Sequence, residues 1–256
     1  DGWLAAHGFK DFAGSAVVHM VGGFAALVGC FFLGPRVGDK KEMMPSDIPN
    51  VVLGTFILWM GWYGFNGGAV SEANQLYRVI MNTTIAASVS GLFTVFYYRI
   101  TKGRFLIGEF CNGILVGLVA ITANCDAVHD WAAFVIGALA VPFYVFGQYI
   151  LEKTNIDDAI GAFPVHGMGG VWGITATGLF HFADEHGVFY MNGTGKTILG
   201  WQFIGIVAVI GWVVVLTSVL LLFLKMFKIL RIDESTEVGG LDRAFHARKS
   251  GKFEYK

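Results

Sequence analysis

Seven long apolar runs are the feature of this sequence that most constrains its fold. About 20 predominantly apolar residues can cross the hydrocarbon core of a bilayer as one helix. Runs of this kind lie at residues 12–34, 50–69, 79–98, 106–124, 131–151, 164–181 and 200–227. Charged residues make up only 14% of the chain, against roughly 25% in an average soluble domain. The sequence therefore predicts an all-α integral membrane protein, built as a bundle of about seven transmembrane helices.

The positions of Lys and Arg support this helix count. If the runs cross the membrane alternately, one side holds all of the 18 basic residues except Lys10, Arg78 and Lys196. Basic residues collect on the cytoplasmic side of membrane proteins. We therefore expect a transmembrane domain at residues 1–230 and a cytoplasmic tail at 231–256. The start of this segment should lie outside the cell, in a multi-pass plasma-membrane protein.

Composition also excludes several classes of function. A net charge of -1 does not provide the basic surface that nucleic-acid binding requires. The three cysteines lie in or beside apolar runs, and their spacing indicates neither a disulfide framework nor a zinc cluster. We expect no nucleic-acid partner, no cofactor and no enzymatic activity.

One short motif occurs twice, at residues 18–23 and 165–170. Both copies read V-H-x-x-G-G, with the histidines His19 and His166 and the glycines Gly22, Gly23, Gly169 and Gly170. Four spans separate the two motif-bearing helices, so the helices should run in opposite directions, as in an inverted-topology repeat. A pseudo-twofold axis would bring the histidines together near mid-membrane, with the glycines allowing close helix packing. A chance match in a glycine-rich chain is the alternative.

A pair of buried histidines suits a polar path through a membrane. Ionisable residues inside membranes are rare and usually functional, and two neutral imidazoles can share one hydrogen, one donating and the other accepting. Two imidazoles are only half of a tetrahedral zinc shell, and His129, His181 and His186 fall near the outer surface. We therefore expect no metal site.

Two carboxylates precede the histidines. Asp11 opens the first span, where a carboxylate can accept hydrogen bonds from the free amides of a helix start; capping alone and contact with a substrate are both open. Asp158 lies before the sixth run, in a segment that Gly161 and Pro164 interrupt. Irregular backbone at membrane depth occurs only where it lines a cavity or packs against protein. Asp158 is either a brace for this turn or a solvated loop carboxylate.

Aromatic residues crowd the end of the second span, in residues 57–74. An interfacial aromatic belt is one interpretation. The other is a vestibule whose aromatic faces attract a small cation, with Phe65 blocking water below it.

Four segments carry a specific pattern: DFAGSAVVH at 11–19, GWYGFNGG at 61–68, CNGILVGLVAITANC at 111–125 and DDAIGAFPVHGMGGVWG at 157–173. Together they strongly resemble the ammonium transporter family, and the resemblance covers essentially the whole chain. It implies eleven helices, in a five-plus-five inverted repeat with an extra last helix, and a homotrimer with one pore per subunit. The seven spans then match helices five to eleven. We expect an N-terminally truncated chain holding the second half of the repeat and the final helix.

The resemblance also implies roles for individual residues. His19 and His166 would be the twin pore histidines, and Phe65 one of two stacked gate phenylalanines. Leu58 and Trp62 would match pore-lining positions.

At the outer mouth the resemblance is less complete. Asp11 would be the family's aspartate at the outer end of helix five, involved in substrate deprotonation or in structure. Ala69 stands where many members have a serine that helps to bind ammonium, which puts recruitment at this site in doubt. The tail sequence GLDRAFH lacks the threonine through which plant members are regulated.

The function implied is transport of ammonium, deprotonated outside and conducted as ammonia along the histidines. Electroneutral and electrogenic transport are both open, and so are two alternatives: an ammonium sensor or transceptor signalling through the tail, and an inactive truncated fragment. The partners implied are ammonium or ammonia, the lipid bilayer, two further subunits of a homotrimer and, in a prokaryote, a PII-like cytoplasmic regulator.

Overall fold

The computed structural model describes residues 2–38, 47–183, 186–190 and 198–246. The described residues contain these α-helices: α1 (Trp3–Ala6), α2 (Val21–Leu33), α3 (Ile48–Gly67), α4 (Leu76–Lys102), α5 (Ile107–Ile121), α6 (Asp130–Thr154), α7 (Gly169–Phe180), α8 (Leu199–Met226) and α9 (Glu234–Gly239). Two π-helical segments, Ser15–Met20 and Phe163–Met168, lead directly into α2 and α7.

Among the described residues, five helical segments are long and apolar enough to cross a membrane. They are Ser15–Leu33, Ile48–Gly67, Ala73–Lys102, Asp130–Thr154 and Leu199–Met226. This confirms the predicted all-helical membrane bundle. The fourth and sixth runs form shorter elements, because α5 has 15 residues and α7 has 12 residues after its π-helical start.

Local sequence signals explain several helix ends. Asp47 accepts a hydrogen bond from the Asn50 amide and caps α3. Gly103 and Asn155 follow α4 and α6 in the left-handed conformation, with φ of 68° and 55°. Glycine and asparagine tolerate this conformation better than other residues, which makes them common at the C-terminal ends of helices.

The core is built around α5, which packs against α3, α4, α6 and α7. Small residues allow the closest approaches. A methyl group added at Gly117 or Gly137 would lie 2.5 Å from the Ala86 carbonyl oxygen, so α4, α5 and α6 meet at this point. In contrast, α3 and α8 expose large apolar side chains along much of their length. Such surfaces are typical of helices that face lipid or other membrane helices.

Polar contacts join several elements at one end of the bundle, which we call the tail end. Arg36, just after α2, forms an ion pair with Asp157 at 2.9 Å. Arg231 donates to the Leu33 carbonyl at 2.8 Å and pairs with Glu237 at 2.8 Å. The start of the predicted tail is thereby attached to the end of α2, and tail residues 247–256 lie outside the described part of the chain. The opposite end of the bundle is called the far end.

Candidate functional site

The two copies of the repeated motif cross each other closely. A methyl group on Gly23 would lie 2.0 Å from the Gly167 backbone nitrogen, and one on Gly170 would lie 2.5 Å from the Ser15 carbonyl oxygen. Since later residues of one segment meet earlier residues of the other, the segments run in opposite directions. This is the antiparallel arrangement expected of the repeat.

The four motif glycines do not contribute equally to this packing. A methyl group on Gly169 would lie 2.7 Å from Val116, so Gly169 also has a close neighbour, like Gly23 and Gly170. Gly22 differs, because a methyl group there would meet no atom of the described residues within 4 Å. Close packing at the crossing therefore involves Gly23 and Gly170, whereas Gly169 packs against α5, and the expected role of Gly22 is not seen.

The crossing places the two histidines side by side. His19 Nδ1 and His166 Nδ1 lie 3.2 Å apart, within hydrogen-bond distance, and the rings are nearly parallel with centroids 5.2 Å apart. His19 is only 8% exposed, and its Nε2 is buried with no hydrogen-bond partner in the described residues. Because each imidazole has two nitrogens, an Nδ1–Nδ1 hydrogen bond leaves both Nε2 atoms available to a guest.

The residues of α3 surround His19 on one side. Trp62 stacks on His19, with centroids 5.0 Å apart and 15° between planes, and Phe65 lies 5.6 Å from the same ring. Trp62 is buried, whereas Phe65 is 41% exposed. The predicted gate and pore-lining positions Phe65 and Trp62 are thus brought to the histidine pair.

Leu58 lies on α3, and Ala69 lies just beyond its C-terminal end. Leu58 is one turn before Trp62 and is 51% exposed. Ala69 follows the last turn of α3 and is exposed. Their predicted roles in pore lining and in recruitment remain predictions.

The carboxylates extend the repeat beyond the predicted motif. Asp11 Oδ2 accepts from the amides of Ala16 and Val17, both at 3.0 Å. Asp158 accepts from the amides of Ala162 and Phe163, at 3.0 and 2.8 Å. Each carboxylate therefore braces the start of the π-helical segment that carries a histidine eight residues later.

Both braces enclose a glycine of positive φ, Gly14 at 107° and Gly161 at 72°. The full repeat thus reads D-x-x-G-x-x-x-V-H-x-x-G-G, and it could have been read from the sequence.

Removing one brace tests its contribution to stability. Asp158→Ala leaves two amides without their acceptor, and loss of a helix-capping side chain costs about 0.5–2 kcal/mol. We expect a lower melting temperature for Asp158→Ala and a smaller loss for Asp158→Asn, which keeps one acceptor oxygen. Thermal unfolding in detergent measures this. Glu152→Ala, at an exposed position of α6, is the control, and an equal loss in that variant would contradict the assignment.

Two supporting residues were not anticipated from the sequence. Thr122 accepts a hydrogen bond at 2.9 Å from the Trp62 indole nitrogen and so orients the ring that stacks on His19. Ser15 donates to the Val119 carbonyl at 2.7 Å and ties the first π-helical segment to α5. The only available signal was a polar residue within an apolar run, which many structural residues share.

The site consists of two imidazole rings in contact with each other, surrounded by apolar and aromatic side chains. In the described ranges, no three His, Cys, Asp or Glu side chains are grouped so that they could hold a metal ion. The histidine pair offers nitrogen donors and acceptors, and the aromatic rings of Trp62 and Phe65 cover one side of it.

Comparison with known proteins gives a consistent result. The family model described as Ammonium Transporter Family matches residues 1–250. Ammonium transporter 1 member 1 of Solanum lycopersicum is 38% identical over 96% of this chain and 58% of its own length. Ammonium transporter Amt2 of Archaeoglobus fulgidus is 37% identical, again over 96% of this chain and 58% of its own length.

Solved structures share the fold. A protein described as Sensor Amt Protein superposes with a TM-score of 0.84 at 34% identity, over 96% of this chain and 62% of its own. Saccharomyces cerevisiae Mep2 gives a TM-score of 0.82 at 32% identity, over 91% and 55%. This chain therefore spans less than two thirds of the length of each of these four proteins.

Proposed function

This chain belongs to the ammonium transporter family, and on that premise we propose that it forms part of a path along which ammonium crosses a membrane as ammonia. The single observation that carries the proposal is the His19–His166 pair. The Nδ1 atoms lie 3.2 Å apart, and His19 Nε2 is buried without a partner in the described residues. If one Nδ1 donates, that ring has a bare Nε2 acceptor and the other ring an Nε2–H donor. Ammonia can use both.

Energetics favour crossing in the neutral form. Moving a bare ammonium-sized cation into a medium of low dielectric costs of order 20 kcal/mol by Born estimates. Removing its proton at pH 7 costs only about 4 kcal/mol for an amine of pKa about 10. Ammonium therefore loses its proton before it reaches the histidines, and ammonia passes along their Nε2 atoms.

The far end of the bundle supplies features suited to the first step. Asp11 Oδ1 is buried without a hydrogen-bond partner in the described residues, while Oδ2 accepts from two amides. This arrangement leaves Oδ1 available to accept a hydrogen bond from ammonium, while Oδ2 holds the start of the pore segment. Phe65 covers His19 and excludes water from the pair.

The remaining predictions belong to the same proposal. The tail end faces the cytoplasm of a cell, in the plasma membrane, because basic residues are concentrated there. The assembled protein is a homotrimer, with a PII-like regulator as partner in a prokaryote. These assignments follow from the family resemblance and from the charge distribution.

A sensor is the second candidate. One structure of the same fold is described as a Sensor Amt Protein, and Ala69 provides no hydroxyl for ammonium at the outer mouth. A sensor binds ammonium at the same site but does not have to move it across the membrane.

Proteoliposomes containing the complete protein distinguish the two candidates. We expect an ammonium gradient to change the internal pH faster than in protein-free liposomes, because transported ammonia takes up protons inside. A simultaneous current would indicate electrogenic transport, and its absence electroneutral transport. If neither current nor pH change exceeds the protein-free control, transport is excluded.

A further inference from the structure

A second polar cluster lies inside the bundle, towards the tail end. Tyr144 donates to Glu109 Oε2 at 2.7 Å, and Gln148 Nε2 donates to the same oxygen at 3.0 Å. The Tyr98 hydroxyl donates to Gln148 Oε1. Tyr144 is fully buried and Tyr98 is 6% exposed. We call Glu109, Tyr144, Gln148, Tyr98 and Asn112 the Glu109 network, which joins α4, α5 and α6.

This network reaches the turn before the second histidine. Asn112 Nδ2 donates to the Tyr144 oxygen at 3.1 Å and approaches the Ile160 carbonyl at 3.5 Å. A methyl group on Gly161 would lie 3.2 Å from Asn112 Nδ2. The turn closed by the Asp158 brace therefore lies against Asn112, which in turn is held by Tyr144. His166 follows Gly161 by five residues.

A carboxylate at position 109 sets the direction of these hydrogen bonds. An ionised carboxylate can only accept, so Tyr144 donates to Glu109 and uses its oxygen to accept from Asn112. The other amide hydrogen of Asn112 then remains for Ile160. A glutamine at position 109 could donate instead, which would let Tyr144 and Asn112 reverse.

Glu109 is not held by an ion pair of its own. Within the described parts of the chain, no ion pair involves Glu109, and the ion pairs seen there include Arg36–Asp157 and Arg231–Glu237. The recorded partners of Glu109 are the neutral side chains of Tyr144 and Gln148. A charge that is placed among neutral donors costs free energy unless it is hydrogen-bonded, so the network and Glu109 depend on each other.

We propose that Glu109 is a positioning residue for the pore: through Tyr144 and Asn112 it fixes the Gly161 turn and thereby the place of His166. The inference rests on the proposed function, since His166 is taken to line the ammonia path. Glu109 does not touch the substrate. Its contribution is to hold the segment that carries His166 in place beside the segment that carries His19.

The test uses the complete protein with Glu109→Gln, Glu109→Asp and Tyr144→Phe. Two readouts are needed. One is ammonium-dependent flux per folded molecule in proteoliposomes. The other is the rate at which a membrane-impermeant maleimide labels Cys30, corrected with a Cys30→Ser variant. Cys30 lines a cavity of about 1030 Å³ at the tail end, together with Asp158 and Ile160. The labelling rate of Cys30 therefore reports the shape of this cavity and does not require transport.

We expect Glu109→Gln to reduce flux about tenfold, the effect of losing a hydrogen bond to a charged group, and to change the Cys30 labelling rate. Glu109→Asp should restore most of both, because it keeps an acceptor-only group. Tyr144→Phe breaks the link to Asn112 with little change in volume, and it should lower flux and change Cys30 labelling in the same direction. It provides the test if Glu109→Gln folds poorly. Glu152→Gln, an exposed carboxylate on α6, should match the wild type.

A purely structural role predicts something else. Unchanged flux per folded molecule in Glu109→Gln and Tyr144→Phe would overturn the proposal, and so would reduced flux with unchanged Cys30 labelling. If the wild type itself shows no flux, the proposed function fails. The labelling rate then decides alone whether Glu109 holds the Gly161 turn, with an unchanged rate refuting it.

Discussion

Gly23→Ala is expected to separate the two histidine-bearing segments and to abolish flux. The added methyl group would lie 2.0 Å from the Gly167 nitrogen, 2.5 Å from its Cα and 2.7 Å from the His166 carbonyl carbon. All three atoms belong to the backbone, so no side chain can rotate away. Overpacking typically costs about 1–3 kcal/mol and occasionally more, and a backbone clash belongs at the upper end. We therefore expect the melting temperature to fall by about 5 °C or more.

Gly22→Ala is the matched control. The two glycines are adjacent on α2, and the substitution is chemically identical. Gly22 has no atom of the described residues within 4 Å of an added methyl group, so we expect stability and flux close to the wild type. Thermal unfolding and flux on both variants check the prediction. Equal behaviour of the two variants would show that the crossing is not as close as the structure has it.

The second large effect is expected from replacing either histidine alone. His166→Ala removes the partner of His19 Nδ1, which is buried, and leaves that nitrogen unsatisfied. The path then loses one of the two Nε2 atoms that contact ammonia. The tautomer of the remaining imidazole is also no longer fixed by a hydrogen bond to its partner. We expect flux to fall at least about tenfold, equivalent to about 1.4 kcal/mol on the barrier. His19→Ala should act in the same direction, because it also removes the stacking partner of Trp62.

His129→Ala serves as the comparison for these variants. His129 is exposed and lies at the far end, where it stacks on Phe182 with centroids 4.7 Å apart. Its removal should leave flux per folded molecule unchanged. If His129→Ala lowers flux as much as His166→Ala, the loss does not report on the pore.

The histidine pair could be predicted because its signal is local and repeated. V-H-x-x-G-G occurs twice. Because four apolar runs lie between the two copies, the helices that carry them should run in opposite directions through the membrane. Their apposition then follows from the symmetry of an inverted repeat. The structure agrees, with the Nδ1 atoms 3.2 Å apart. The preceding D-x-x-G pattern was equally visible. Capping by Asp11 and bracing by Asp158 were each one of two alternatives, and the backbone amides that donate to these carboxylates favour them.

Other features depend on residues far apart in the chain. Thr122 holds Trp62 across 60 positions, and Glu109 meets Tyr144 across 35. Helical periodicity cannot pair such residues, because it describes one helix at a time. The π-helical starts of the two histidine segments were also not predicted. Both coincide with the crossing of the two segments and follow the carboxylate braces.

Phe65 stands at the position that the family resemblance assigns to the gate. Phe65 lies 5.6 Å from the His19 ring, but it is 41% exposed. The family resemblance implies two stacked phenylalanines at this point, and the matched relatives are considerably longer than this chain. In the proposed function this side chain excludes water from the histidine pair.

The most direct test of the central claim is flux in the double variant His19→Ala/His166→Ala of the complete protein. Flux and ammonium binding are measured on the same proteoliposomes, at equal amounts of folded protein. If the pair lines the ammonia path, flux falls to the protein-free background while ammonium binding at the outer mouth is retained. Flux equal to that of the wild type would contradict the account, because ammonia would then cross without the two histidines.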